Sequence, residues 1–199
     1  MASFQIRPYT AADEEGWLRC RVLSFLGSAY FDDVRQEKEH YAGPAIELVA
    51  DDGGEVVGLI DVECEEEPGA VCSGRPGPGG MIWHLAVHPD RQRHGVATAL
   101  LREAERLASG RGLVRFEAWT RDDAHVQAWY ESRGFAQVDS YLHVYVELAD
   151  GLRELFPIAD GLRPVLLFAH YTGDNRDEVT RRFARVHECV LYERRQLAT

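Results

Sequence analysis

Two periods of apolar residues organise the chain. A period of two marks strands. Phe4-Gln5-Ile6-Arg7 alternates and stops at Pro8. Ala45 to Ala50 and Glu55 to Glu65 flank Asp51-Asp52-Gly53-Gly54, a hairpin turn signal. Leu113 to Thr120, Gln137 to Leu148 and His187 to Arg195 read as further strands. Met81 to Val87 is a short continuous apolar run, as in a buried strand. A period near 3.6 marks helices. Thr10 is placed to cap a helix whose buried stripe is Trp17, Val22, Phe25 and Leu26, ended by Gly27. A second helix is expected over about Tyr30 to Tyr41. Val96, Leu100, Leu101, Ala104, Leu107 and Ala108 form a longer stripe, with Gly110 at its end. Val126, Trp129 and Tyr130 share a helical face between Arg121-Asp122-Asp123 and Gly134. Asp174 or Asn175 starts a last helix with Val179, Phe183 and Val186 inward. Pro164 to Tyr171 suits a strand or an ordered flap. Strands alternating with helices predict an α/β architecture. Glu66 to Gly80, rich in Gly and Pro, is expected to be a mobile loop.

Composition narrows the class. A chain of 199 residues can bury one sizeable core, so a single domain over 1–199 is expected. No apolar run approaches a membrane span, and the N-terminus has no signal-peptide core. The four cysteines, Cys20, Cys64, Cys72 and Cys189, are widely spaced without metal-ligand spacing. They read as reduced thiols of a cytoplasmic protein with no metal site. A net charge of −11 argues against nucleic acid as partner and leans toward a cationic small substrate, although acidity also serves solubility. On the strand Glu55 to Glu65, the carboxylates Asp61, Glu63 and Glu65 share a face, either toward a cationic acceptor or toward solvent.

The stretch between the buried strand and the longest helix carries the chemistry. Pro89-Asp90 stops the strand, and Gln92-Arg93-His94-Gly95-Val96-Ala97 leads into the helix. Small residues there let a ligand approach the backbone. The first helical N–H groups lack intrahelical partners, and the helix dipole adds partial positive charge. Arg91, Arg93, His94 and Arg102 add more. Such a loop suits a phosphate or pyrophosphate. It is neither a P-loop nor a dinucleotide fingerprint, since no Gly-Lys-Ser/Thr follows and there is one glycine.

Leu85-Ala86-Val87-His88-Pro89 followed by Gln92-x-x-Gly95-x-Ala97 resembles the acyl-CoA signature of the GNAT N-acetyltransferase superfamily, Q/R-x-x-G-x-G/A. Downstream, Ala128-Trp129-Tyr130-Glu131-Ser132-Arg133-Gly134-Phe135 resembles the same family's A-x-Y-x-x-x-G-F helix end. The two pieces lie in order, one β–α unit apart. The resemblance covers roughly residues 3–148. It implies a mixed-sheet GNAT fold with an insertion between its last two strands. Residues 149–199 are expected to complete the sheet, with 150–186 covering the acceptor cleft or, alternatively, building a homodimer interface.

The resemblance further implies acetyl-CoA as co-substrate and a primary amine of a small molecule or peptide as acceptor. Backbone groups of Leu85, Ala86 and Val87 would hold the pantetheine arm, and the loop amides from Arg93, His94, Gly95, Val96, Ala97 and Thr98 the pyrophosphate. Asp123 stands where relatives carry an Asn that contacts the arm. Tyr130 takes the position of the general acid that protonates the leaving thiolate; a phenol titrates near pH 10 and holds its proton at neutral pH. Glu117 and His84 are the candidate general bases, with deprotonation through water as the alternative. Phe25, Tyr30 and Phe31 are core residues or acceptor contacts. A non-catalytic acyl-CoA sensor on the same fold is the competing function.

Overall fold

The computed structural model describes residues 4–152, 162 and 164–195. Eight strands form one mixed sheet: β1 (Gln5–Pro8), β2 (Ala45–Asp52), β3 (Glu55–Cys64), β4 (Gly79–Val87), β5 (Arg115–Thr120), β6 (Ala136–Glu147), β7 (Leu166–Tyr171) and β8 (Arg185–Arg195). Their spatial order is β1-β2-β3-β4-β5-β8-β6-β7. Only β4 and β5 pair parallel. Among the described residues four α-helices accompany them: α1 (Glu14–Phe25), α2 (Val96–Gly110), α3 (Ala124–Ser132) and α4 (Arg176–Arg182).

Each face of the sheet carries its own core. α2 lays Val96, Leu100, Leu101, Ala104 and Ala108 on Ile60, Val62, Ile82 and Phe116, as its stripe predicts. The approach is close at Gly58, where a Cβ would stand 2.5 Å from a Val96 methyl. On the opposite face Trp17 and Cys20 of α1 pack on Val49, Leu59 and Ala86. Thr10 and Asp13 form a capping box just before α1. Gly53 and Gly54 both have positive φ, the conformation a two-residue hairpin turn requires. β6 alternates between faces. Leu142, Val144 and Val146 join Val179 of α4, and Tyr141, His143 and Tyr145 point the other way.

Several expectations are corrected. Residues 30–41 contain turns and no helix; side chains fold them instead. Buried Lys38 bonds Asp61 at 3.0 Å and also pairs with Glu47, while Arg21 holds Asp33 at 2.9 Å. In α1 it is Arg21 that is buried, whereas Leu26 is exposed. The Gly/Pro-rich stretch 66–78 is pinned rather than mobile. Buried Glu65 accepts the N–H groups of Gly69, Cys72 and Gly79 within 2.9 Å, and Ser73 bonds Glu117. β8 does insert beside β6, but β7 extends the sheet edge on β6's other side instead of crossing the cleft. Residues 153–161 of the expected cover lie outside the described residues.

Candidate active site

The site begins where β4 and β5 part. Their parallel pairing ends at Ile82↔Ala118, yet β4 continues to Val87 and β5 to Thr120. Between Ile82 and His84 the β3–β4 register slips, so that Trp83 is an extra residue. This bulge puts two successive side chains on one face: Trp83 donates to Glu63 at 2.8 Å, and His84 meets Trp17 edge-on. Past the bulge, His88 N–H bonds Val57 O on the β3 side. By the alternation of an antiparallel ladder, the N–H and C=O of Leu85 and Val87 then point into the gap. Ala86 turns its backbone toward β3 instead, and its side chain packs under α1.

Two cavities open from this gap. One, of about 650 Å³, is lined by Leu85, Val87, the loop from Arg91 to Arg93, Gly95 to Thr98, and Tyr130 and Arg133 of the α3 end. Its floor is the start of α2. The first helical bond joins Ala99 N–H to Gly95 O, so the N–H groups of Val96, Ala97 and Thr98 have no intrahelical acceptor. Arg93 and Gly95 both have positive φ, and around a Cβ at Gly95 there is open space. Buried Nε of Arg133 has no partner among the described residues. A free helix N-terminus and a guanidinium with an unpaired Nε are a donor set for a polyphosphate. His94 is not part of it; its ring is exposed and bonds Gln92 O.

The second cavity, of about 390 Å³, shares Leu85, Val87, Gln92, His125, Val126 and Tyr130 with the first. Beyond them it is walled by Phe25 and Tyr30, paved by Trp83, His84, Trp119, Tyr141 and His143, and rimmed by Asp33, Arg35 and Glu39. Phe31 stays outside, under Arg185. Tyr130 stands at the junction. It is 6% exposed, packed against Phe135 and stacked on Tyr192. Burial alone pushes its phenol above the ordinary value, and its hydroxyl has no partner among the described residues.

The other candidates already have partners, although His84 and Asp123 both line the second cavity. Glu117 is fully buried in an ion pair with Arg115 and accepts Ser73 N–H at 2.8 Å; it lines neither cavity. Arg21 Nε donates to His84 Nδ1 at 3.4 Å, so Nε2 carries the proton and donates to Glu39 at 2.6 Å. That hydrogen bond holds the Glu39 carboxyl below the usual range. Neither His84 nitrogen keeps a lone pair for a substrate proton. Both oxygens of Asp123 accept Ala29 N–H, which ties the 26–33 turn to α3. Asp61 Oδ2 pairs with Lys38, and Glu65 pairs with Arg115. Sequence reasoning missed Arg21, Trp119, Tyr141, His143 and Arg133. The period-two row Tyr141, His143, Tyr145 was the available signal for the β6 members.

Residues 9–135 match the acetyltransferase (GNAT) family model, about two thirds of the chain. The chain belongs to the GNAT acetyltransferase family. It is 31% identical over 127 residues to acetyltransferase SG1711 of Sodalis glossinidius, covering 63% of this chain and 80% of that protein. The ribosomal-protein-S18-alanine N-acetyltransferase of Escherichia coli superposes with a TM-score of 0.58 at 13% identity, covering 98% of this chain and 96% of that one. A GNAT acetyltransferase from Elizabethkingia anophelis with acetyl-CoA bound gives 0.54 at 13% identity, over 98% and 99% of the two chains. These solved structures share the fold with this GNAT protein. An acyl-CoA co-substrate follows from the family, and the larger cavity has the donors for one. Among the described residues, no helix is long and apolar enough to cross a membrane.

Proposed function

We propose that the protein moves an acetyl group from acetyl-CoA to a primary amine by direct attack on the thioester. One observation carries this reading: a polyphosphate-ready cavity and a ring-lined cavity meet at Tyr130 and Leu85. The amides of Val96, Ala97 and Thr98, with Arg133, take the pyrophosphate. The gap-facing N–H and C=O of Leu85 and the N–H of Val87 hold the amide-rich pantetheine arm, while Val87 O accepts Ser24 Oγ at 2.7 Å. The amine nitrogen attacks the carbonyl carbon, the C–S bond breaks, and Tyr130 gives its proton to the departing sulfur. The burial that raises the phenol also disfavours a free thiolate, so proton transfer between them stays matched. With His84 and Glu117 both engaged, the amine loses its proton to water. Orientation of the two substrates supplies much of the rate.

The test is thiol release from acetyl-CoA with a panel of primary amines, with the acetylated product identified by mass spectrometry. Binding of acetyl-CoA without any acetylated amine would favour an acyl-CoA sensor and overturn the transfer reading.

A further inference from the structure

The family match ends at residue 135, but the second cavity does not. Trp119 on β5 meets Tyr141 on β6 with ring centroids 4.8 Å apart. β8 lies between those strands, and the side chain it offers opposite Tyr141 is the small Cys189. From Tyr141 the row continues to His170 on β7 at 4.6 Å, and His143 stacks on His170 at 4.8 Å with planes 16° apart. Phe168 closes it at 4.9 Å from His143. The row runs across the strands, from the gap between β4 and β5 to the sheet edge. Its outer end is open: Phe168, at the edge, is 46% exposed. Large rings left open in a continuous row mark a contact surface rather than a core.

The charges of this cavity add a second constraint. Both arginines that line it are taken, Arg21 by Asp33 and Arg35 by Glu39. Neither is left to receive a carboxylate or a phosphate from an acceptor. The rings Phe25, Tyr30, Trp83, Trp119 and Tyr141 share the rest of the lining with aliphatic and uncharged polar side chains and with the carboxylates of Asp33, Glu39 and Asp123.

We propose that the acceptor is an arylalkylamine, a primary amine on an aromatic body without an anionic group, seated on the ring row that starts at Trp119 and Tyr141. The inference rests on the acetyl-transfer reading for the word acceptor; the binding surface itself does not. The amine end reaches the junction at Tyr130, and the aromatic body stacks along the row.

The experiment is calorimetry on the full chain saturated with coenzyme A, using tryptamine, hexylamine and tryptophan as probes. Tryptamine is expected to bind at least tenfold tighter than either of the others. Trp119→Leu, and separately Tyr141→Leu, is expected to weaken tryptamine binding by about threefold to tenfold, the range for one ring–ring contact. The three-probe comparison on the unaltered chain needs no variant to fold. Equal affinity for tryptamine and hexylamine, or tryptophan binding as tightly as tryptamine, would overturn the proposal. Thiol release is measured alongside. Selective tryptamine binding without acetylation of any amine would leave the aromatic-amine site standing and remove the transfer reading. Acetylation of hexylamine and tryptamine at equal efficiency, with equal affinity, would do the reverse.

Discussion

Gly95→Asp separates the cost of a backbone change from the cost of a lost anion site. Gly95 sits at the start of α2 with φ +85 and ψ 1, in the left-handed region. A side chain there costs about 1–2 kcal/mol, and Asp and Asn bear it better than most residues. The new Cβ meets no heavy atom within 4 Å, so no packing penalty adds to this. A carboxylate at a helix N-terminus returns about 0.3–1 kcal/mol through the dipole. The folded state is therefore expected to lose about 1 kcal/mol or less. The effect on acetyl-CoA is larger. A carboxylate about 4 Å from a phosphate charge, at an effective dielectric near 20, costs about 4 kcal/mol before salt screening. Even a third of that is roughly tenfold in affinity. Calorimetry with acetyl-CoA should show at least a tenfold loss for Gly95→Asp and a smaller loss for Gly95→Asn, which has the same shape without the charge. Thermal melts of both variants should differ little. Unchanged affinity in a folded Gly95→Asp protein would refute the placement of the pyrophosphate at Val96 to Thr98.

Three further expectations follow from the same geometry. Tyr130→Phe keeps the stacking on Tyr192 and should lower kcat by about 10²-fold or more with acetyl-CoA affinity unchanged; an unaltered kcat, with chemistry shown to limit the rate, would remove Tyr130 as proton donor. Arg115→Leu leaves Glu65 and Glu117 buried without their cation and should cost about 3–5 kcal/mol in urea unfolding, while a loss below about 1 kcal/mol would show that the cluster is not needed to hold the 66–78 stretch. His143 is pushed down to about 4 by burial and by Arg121, so the unfolded chain takes up this proton first. Its share of stability is full above pH ~6.5 and lost as pH falls toward about 4. His143→Phe should flatten unfolding free energy against pH across that window, and an identical slope in the variant would count against a neutral His143.

How much was legible in the sequence varied with the range of the interaction. The α2 stripe, the Gly53-Gly54 turn and the Gly95 entry depend on neighbours in the chain, and each stands in the structure as its pattern predicts. Residues 30–41 do not. Their helical composition is overridden by Lys38 reaching Asp61 and Glu47 and by Arg21 reaching Asp33, contacts between separated segments that no local pattern carries. The 66–78 stretch has the composition of a free loop, yet the buried carboxylate of Glu65 gathers its N–H groups. The second cavity was only half legible. Its β6 rings are visible as a period-two row, but their meeting with Trp119 depends on β8 lying between β5 and β6 with a small Cys189 at the crossing. Strand order of that kind is a property of the whole chain.

The family resemblance nominated Tyr130 as general acid and Glu117 and His84 as alternative bases; in the structure they differ in whether the protein already uses the functional atoms. Both oxygens of Glu117 are taken, by Arg115 and Ser73. Both nitrogens of His84 are taken, by Arg21 and Glu39. The carboxylate of Asp123 is spent on Ala29. Each of these interactions is lost if the group turns to a substrate. The Tyr130 hydroxyl carries no such obligation. It is buried at the junction of the two cavities, and no charge or hydrogen bond contributes to its raised phenol. A buried polar group without a partner is costly. The free amides at the start of α2 and the unpaired Nε of Arg133 are in the same condition. Donors without a partner among the described residues thus line one path, from the helix start to Tyr130, and a thioester carried on a polyphosphate arm is a ligand able to satisfy them together.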